Sequence, residues 1–264
     1  RPAPAAAGEA TDVKAAFVVT LLATAALSAA VQQPQIGGGL KEYVKVNAPV
    51  VAITHVRVID GTGSAAIENQ TVVVRDGKIA AIGPNVPVPE GAVVIDATGK
   101  SVMPGIVMLH EHLFYPVGQG VYGQFGQSFS RLYLAGGVTS MRTGGNTNGV
   151  MDLVLAKRAA NFEIPAPWID ATAPYLNGTN TFLQMHSLVD ADDARRQVAL
   201  WSEMGAMSFK AYMQITRAQL GAAIEEAHKR GLKVTGHLCS VTYAEAAALG
   251  IDNLEHGFVA ATDF

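Results

Sequence analysis

From Pro104 onward, short apolar segments alternate with helix-compatible segments, and this rhythm constrains the fold more than any other feature of the chain. The strand-like segments are 106–112, 138–142, 167–172, 206–212, 232–237 and 251–256. The helix-compatible segments are 124–136, 150–160, 190–205, 216–231 and 240–250. Such alternation is typical of a parallel sheet with crossover helices. Six units predict an α/β fold, an incomplete (β/α)8 TIM barrel lacking two of its eight units. A doubly wound open sheet is the alternative, but no G-x-G-x-x-G motif follows the first strand.

A strand-rich block precedes the alternating region. Apolar segments at 50–60, 70–83 and 92–105 are separated by tight turns, and Asp76-Gly77 is a strong hairpin signal. We therefore expect a small N-terminal β-sandwich part at 48–103 and the partial barrel at 104–264.

The first 36 residues have the features of a signal peptide and leader. The weakly apolar run Ala15–Ala30 follows Lys14 and ends in small residues. This run is shorter than the about 20 apolar residues of a membrane span, so no stable membrane insertion is expected after cleavage. The acidic residues before Val13 do not suit a signal peptide, so we take Val13 as the true start. The prediction is export to the periplasm or secretion, whereas a buried Ala-rich helix is the alternative.

Composition excludes several classes of protein. Hydrophobic residues make up 49% of the 264 residues and charged residues 16%, which indicates an ordered globular chain. The net charge of −3 gives no basic face for nucleic acid. Cys239 is the single cysteine, so an internal disulfide framework is excluded. The sequence leaves the oligomeric state open.

Titratable side chains stand at the ends of four predicted strands. They are His110 and His112 after the first strand, Lys210 after the fourth, His237 after the fifth and His256 after the sixth. The carboxyl ends of barrel strands form one rim, so these side chains are expected to converge. A single histidine at a strand end is usually structural, and a lone lysine can extend to solvent. The joint placement instead favours a metal site.

Three further residues near this rim have weaker predicted roles. Arg142 ends the second strand, where it would hold a substrate carboxylate or form an ion pair. Tyr212 would either polarise a substrate carbonyl or pack at the barrel mouth. Glu111 lies between two histidines that face the other way, so it is expected to face the helix layer and support the ligands from there.

Several motifs together resemble the amidohydrolase superfamily, over about residues 50–260. VRVIDGTG and VVRDGKIAAIG are similar to its N-terminal strands, and VIDATGKSVMPG followed by PGIVMLHEH resembles its entry into the barrel. FKAY, VTGH and NLEHG match its lysine and its two later histidines in order. The resemblance is strongest to the imidazolonepropionase-like and prolidase-like branch.

The resemblance implies a two-metal site, with Zn²⁺ as the default metal and a small-molecule substrate. His110 and His112 would bind one metal, and His237 and His256 the other. Lys210, carboxylated by CO₂, would bridge both, since an ammonium beside two cations is unfavourable whereas a carbamate is an anionic ligand. Hydrolysis of an amide, cyclic amide or dipeptide-like C–N bond is the implied reaction.

The pattern departs from the superfamily at one position. The family places a metal-binding general-base aspartate at the end of strand eight, and Asp263 follows strand six too closely to be that residue. The expectation is therefore that this chain by itself is inactive. Two alternatives stay open: a mononuclear deaminase or cyclic-amide hydrolase that does not need Lys210, and a non-catalytic truncated relative.

Overall fold

The computed structural model describes residues 35–179 and 185–263. The predicted signal peptide lies outside these residues, so export stays a prediction. Within the two described ranges, no helix is both long enough and apolar enough to cross a membrane.

The strand-rich block forms one mixed sheet. Its strands are β1 (Val50–Val58), β2 (Ile67–Arg75), β3 (Lys78–Gly83), β4 (Val93–Asp96) and β5 (Ser101–Val102). The order is β3-β2-β1-β4, with β5 also paired to β1. The predicted hairpin is confirmed: Asp76 and Gly77 have φ of 50° and 74° between paired residues Arg75 and Lys78. Positive φ at both turn residues matches the type I′ turn that suits strand twist. The block is a single sheet, so the predicted sandwich is not confirmed.

The alternating region contains every predicted strand and helix. The elements are β6 (Ile106–Glu111), β7 (Phe114–Gly118), β8 (Val121–Gln124), α1 (Gly126–Ala135), β9 (Val138–Thr143), α2 (Gly149–Ala160), β10 (Trp168–Asp170), α3 (Ala191–Glu203), β11 (Ser208–Ala211), α4 (Arg217–Lys229), β12 (Lys233–Gly236), α5 (Tyr243–Ala248) and β13 (Asn253–Leu254). Two helices begin with reciprocal capping boxes, Thr216 with Gln219 in α4 and Thr242 with Glu245 in α5. Each box satisfies backbone N–H groups at the helix start.

Six parallel strands follow one another in chain order. They form two three-stranded sheets, β6-β9-β10 and β11-β12-β13. The sheets are joined by a bridge between Thr172 and Ser208 and by the hydrogen bond from Met207 N to Ala171 O at 2.9 Å. In the described ranges β6 and β13 are not paired, so the sheets do not close. The α/β alternation is confirmed, whereas the incomplete TIM barrel stays a prediction.

Apolar side chains fill the space between the strands and the helices. One cluster joins α3 and α4 to the second sheet, with Val198, Phe209, Leu220 and Val234 fully buried. A second cluster joins α1 and α2 to the first sheet through Leu113, Met141, Leu155 and Ile169. Burying each large aliphatic side chain contributes roughly 1.5–3 kcal/mol, so the helix layer fixes the strands and their carboxyl ends.

Two features differ from the sequence-based expectation. The β7–β8 hairpin between β6 and α1 was not predicted; Gln119 and Gly120, with φ of 53° and 73°, form its turn. Gln-Gly is a weaker turn signal than Asn-Gly, which is why sequence reasoning missed it. The last strand ends at Leu254 rather than at His256, whose φ of 65° takes the backbone out of the strand.

Candidate active site

The structure brings the five predicted strand-end residues together. We call His110, His112, Lys210, His237 and His256 the strand-end cluster. The ring centroid of His110 lies 5.2 Å from that of His112 and 4.8 Å from that of His256. The ring centroid of His256 lies 4.7 Å from that of His237. Residues from the first, fourth, fifth and sixth of the parallel strands therefore meet at one rim, as the parallel arrangement requires.

Two tyrosines continue the line of rings. Tyr212 lies 5.1 Å from His237 and 4.6 Å from Tyr175, and Tyr175 lies 6.4 Å from His112. Six aromatic rings thus form a closed circuit at the rim. Tyr175 was missed by sequence reasoning because it lies in a loop after β10 with no motif around it.

Acceptors at Nδ1 orient the first two histidines. His110 Nδ1 lies 2.5 Å from Glu255 Oε2, and His112 Nδ1 lies 3.2 Å from the carbonyl oxygen of Gly145. A carbonyl only accepts, so His112 must donate from Nδ1. This pattern is typical of metal-binding histidines, since a fixed Nδ1–H leaves Nε2 as the free donor atom.

Two successive glycines let the backbone pack closely against these side chains. A Cβ on Gly144 would lie 2.4 Å from His110 Cδ2 and 2.5 Å from His110 Nε2. A Cβ on Gly145 would lie 2.5 Å from the Tyr175 ring and 2.9 Å from Lys210 Cγ. Gly145 also has a φ of 99°, so only glycine suits both the conformation and the close approach.

Lys210 is buried within the cluster. It is 1% exposed, and its Nζ has no hydrogen-bond partner among the described residues, although Glu255 Oε1 lies 3.4 Å away. Burial lowers the pKa of Lys210 to about 8, and Glu255 opposes part of this effect. A buried amine near this pKa is partly neutral at pH 7 to 8 and can then act as a nucleophile.

Glu255 is the main functional candidate that sequence reasoning missed. Its side chain is 6% exposed and contacts His110, Lys210 and Arg142, with Arg142 Nη1 at 3.3 Å. Burial alone would raise its pKa, but the hydrogen bond with His110 and the charge of Lys210 hold the pKa well below its usual range. The carboxylate therefore stays ionised at the centre of the rim. Its position in NLEHG, just before His256, was the available signal.

Arg142 lies between the two sheets. Its guanidinium donates to Leu109 O at 3.1 Å, to Glu255 at 3.3 Å and to Thr235 Oγ1 at 2.8 Å. Of its two predicted roles, the ion pair is present in the structure. Binding of a substrate carboxylate stays a prediction.

Partial or full burial lowers the pKa of three of the imidazoles, which favours their neutral form. It lowers the pKa of His112 to about 4, with the charge of His110 adding to the effect. Burial also lowers the pKa of His237 and of His256, and the charge of Lys210 contributes to both shifts. Neutral imidazole is the form that binds metal, so these residues need not lose a proton first.

The side chains of the cluster suit a metal ion by their chemistry and by the hydrogen bonds that hold two of the histidines. Two imidazoles with Nδ1 held by acceptors and a buried amine without a close hydrogen-bond partner among the described residues are present. In the described ranges, however, no three His, Cys, Asp or Glu side chains already stand in metal-holding positions. Among the described residues, no acceptor holds Nδ1 of His237 or His256 in the way that Glu255 holds His110. The ligand assignment stays a prediction.

Glu111 faces away from the histidines, as the strand alternation predicts. Its Oε2 accepts a hydrogen bond of 2.6 Å from the hydroxyl of Tyr133 in α1. The hydroxyl of Tyr133 is also 3.4 Å from His112 O, so this pair ties β6 to the helix layer.

A cavity of about 460 Å³ opens beside the cluster. His112 and Tyr212 are part of its wall, and the β7–β8 hairpin forms another side. This volume is within the about 300–1,000 Å³ of small-molecule sites. Tyr212 thus lies between the cavity and His237, although polarisation of a carbonyl by its hydroxyl stays a prediction.

Comparison with known proteins gives both sequence relatives and similar structures. No model of a known protein family matches the sequence. The dihydroorotase of Mycobacterium tuberculosis is 42% identical over 85 residues, covering 32% of this chain and 19% of that protein. The dihydroorotase of Anaeromyxobacter dehalogenans is 42% identical over 110 residues, covering 39% and 25%.

Solved structures extend the similarity over most of the chain. A putative prolidase from Bifidobacterium longum is 26% identical with a TM-score of 0.64, covering 79% of this chain and 54% of that one. Phenylurea hydrolase B is 22% identical with a TM-score of 0.64, covering 78% and 59%, and shows the fold alone. The matches thus span about a fifth to a quarter of the curated relatives and just over half of these structures.

The fold and the site together define a class of protein, namely an α/β chain with histidines and a buried lysine at the carboxyl ends of its parallel strands. The dihydroorotase relatives and the prolidase structure indicate the amidohydrolase superfamily, which confirms the resemblance found in the motifs. The curated relatives are dihydroorotases, and a hydrolase that acts on C–N bonds is supported at the level of the family.

Proposed function

We propose that this chain forms the metal-binding part of a hydrolase that cleaves C–N bonds in small amides, cyclic amides or dipeptide-like molecules. The observation that carries the proposal is the strand-end cluster, in which four imidazoles meet around a buried lysine with no hydrogen-bond partner among the described residues. The matched relatives are much longer than the matched regions, so hydrolysis is proposed for the whole protein.

The proposed ligands divide into two pairs around Lys210. His110 and His112 would hold one divalent metal, His237 and His256 would hold the second, and Lys210, as a carbamate, would supply an anionic oxygen ligand to the site. Zn²⁺ is the proposed ion, since imidazole-rich hydrolytic sites favour it. When bound, such ions lower the pKa of water towards neutrality and polarise a substrate carbonyl.

The side chains of the chain itself prepare this site. The neutral Lys210 amine adds to CO₂, forming an N–C bond and releasing a proton, which gives the anionic carbamate. Glu255 holds His110 through Nδ1, and Gly145 O holds His112, so both rings present Nε2. Tyr212 is placed between the cavity and the cluster, where its hydroxyl can orient the substrate carbonyl.

Metal analysis and hydrolysis test the proposal together. We expect two metal ions per chain by inductively coupled plasma mass spectrometry after equilibration with Zn²⁺ and bicarbonate. Lys210→Ala should lower the content to one ion or fewer and lower any amide hydrolysis by more than about 100-fold, since loss of an outer-shell partner alone costs 10–100-fold. Lys229→Ala, which removes an exposed lysine on α4, is the matched control and should change neither.

A mononuclear site is the second candidate. It is favoured by one observation: of the four histidines in the strand-end cluster, His110 and His112 are the two whose Nδ1 lies against an acceptor among the described residues. In that case the wild-type chain would bind one ion, and Lys210→Ala would leave both the metal content and hydrolysis largely unchanged. A chain that binds no divalent metal at all would contradict both candidates.

A further inference from the structure

The cavity beside the strand-end cluster has an unusual lining. Phe, Trp and Tyr make up 7% of the chain, yet seven of the eleven residues that line the cavity are Phe or Tyr. The β7–β8 hairpin contributes Phe114, Tyr115 and Tyr122. Two more aromatic side chains come from α1, and Tyr175 and Tyr212 close the side next to His112. We call this cavity the aromatic pocket.

The rings are arranged for contact with another flat group. Phe114 and Tyr122 pack edge to face at 5.2 Å, and Phe114 lies 4.7 Å from His112. Tyr115 at the hairpin is 63% exposed, so part of the wall is open to an incoming ligand. Aromatic pairs at such centroid distances are worth about 0.5–1.5 kcal/mol beyond the area that they bury. A bound aryl group would therefore gain both burial and ring contacts.

The charge of the lining excludes an anionic group. Glu111 is the only charged residue among the described residues that line the pocket, and no lysine or arginine is among them. Glu111 already accepts from Tyr133, so its carboxylate is part of the wall and adds negative potential. Burying a second carboxylate beside it would cost free energy without a partner.

We propose that the aromatic pocket binds an uncharged aryl group of the substrate, next to the amide that is hydrolysed at the strand-end cluster. This inference rests on the proposed function for the reaction, but its ligand chemistry follows from the pocket alone. The volume of about 460 Å³ leaves room, since a cavity of about 150 Å³ is enough to bind benzene. The β7–β8 hairpin is then the element that determines substrate specificity.

Equilibrium binding to the metal-free chain tests the pocket separately from catalysis. The probes are benzamide, cyclohexanecarboxamide, 4-carboxybenzamide and 4-(aminomethyl)benzamide, measured by ligand-observed NMR after treatment with a chelator. Benzamide should bind at least about threefold more tightly than each of the others. Equal binding of 4-carboxybenzamide would overturn the inference, and tighter binding of the aminomethyl compound would identify a cation site instead.

Two pocket variants and one control complete the experiment. Tyr122→Ala should weaken benzamide binding about threefold to tenfold, the range expected for one lost ring contact. Tyr115→Ala removes an exposed ring, so it tests the same wall if Tyr122→Ala fails to fold by circular dichroism. Tyr43→Ala removes a ring that contacts Arg131 elsewhere and should have no effect. Unchanged binding in a folded pocket variant would overturn the inference.

The two proposals fail in different ways. Selective benzamide binding without metal uptake would contradict the proposed function and leave the pocket standing. Metal-dependent hydrolysis that does not distinguish benzamide from cyclohexanecarboxamide would contradict the pocket alone.

Discussion

The two halves of the strand–helix region differ in how firmly their rim histidines are held. In the first half, which contains β6, β9 and β10 with α1 and α2, the rim histidines are oriented by acceptors at Nδ1. In the second half, which contains β11, β12 and β13 with α3, α4 and α5, His256 is exposed and lies outside the strand. The rim histidines of the first half are therefore held more firmly than His256 of the second half.

The buried acids in the helix layers differ in the opposite direction, because the aspartate of the second half is the better hydrogen-bonded one. Asp152 on α2 is fully buried, and neither carboxylate oxygen has a hydrogen-bond partner among the described residues. Asp193 on α3 is also buried, but it accepts from His186 Nε2 at 2.8 Å and from Val189 N at 3.1 Å. The half with the better oriented histidines therefore carries a buried acid that Thr143 and Asn146 support only in part.

The largest expected effect concerns this acid. Burial raises the pKa of Asp152 to about 7, and Thr143 and Asn146 offset only part of the shift. The folded state therefore holds a proton that the unfolded state releases near pH 4, so stability falls as pH rises from about 4 to 7. Asp152→Asn should remove this dependence and raise the free energy of unfolding at pH 8 by roughly 2–4 kcal/mol.

Urea unfolding at pH 4.5 and pH 8 measures the effect of Asp152→Asn. Asp192→Asn changes an exposed acid on α3 and should leave the pH dependence as it is. A wild-type chain that is equally stable at both pH values would contradict the assignment of a raised pKa to Asp152.

The second expected effect concerns the two histidine pairs. The oriented pair should bind Zn²⁺ about 10–100-fold more tightly than the other pair, which is the range that outer-shell partners contribute. His110→Ala should remove the tight phase of a calorimetric Zn²⁺ titration, and His237→Ala the weak phase. Loss of the same phase in both variants would show that the four histidines act as one site.

Glu255→Gln removes the negative charge of the side chain that contacts His110 but keeps its size. The amide can still contact His110 but cannot neutralise Lys210 or Arg142, so the tight phase should weaken by about tenfold. Glu245→Gln alters a more exposed carboxylate on α5 and should leave the titration unchanged. If Glu255→Gln weakened only the second phase, Glu255 would not be the residue that positions His110.

The last expected effect is steric. Gly144→Ala places a methyl group 2.4 Å from the His110 ring, so the ring must move. We expect a loss of about 1–3 kcal/mol in unfolding free energy together with a weaker tight phase. Gly38→Ala is the control, because a Cβ there meets nothing within 4 Å. Retention of the tight phase in Gly144→Ala would show that His110 does not need its present position.

Much of the rim could be predicted because strand ends and side-chain alternation follow from local sequence. The H-x-H spacing placed His110 and His112 on one face and Glu111 on the other, where it meets Tyr133. Glu255 and Tyr175 could not be predicted in this way. Their roles depend on contacts with residues 145 and 63 positions away in sequence, namely His110 and His112.

The sequence by itself determined the order of strands and helices, the Asp76-Gly77 hairpin and the residues that stand at the strand ends, since periodicity and turn chemistry are local properties. Only the tertiary structure decided that Glu255 lies among His110, Arg142 and Lys210, and that a hairpin after β6 lines an aromatic pocket. These features arise from packing between distant segments, and burial then sets the pKa of Lys210 and of the histidines. The residues of the cluster could therefore be identified from the sequence, whereas their protonation and the hydrogen bonds that hold them depend on the fold.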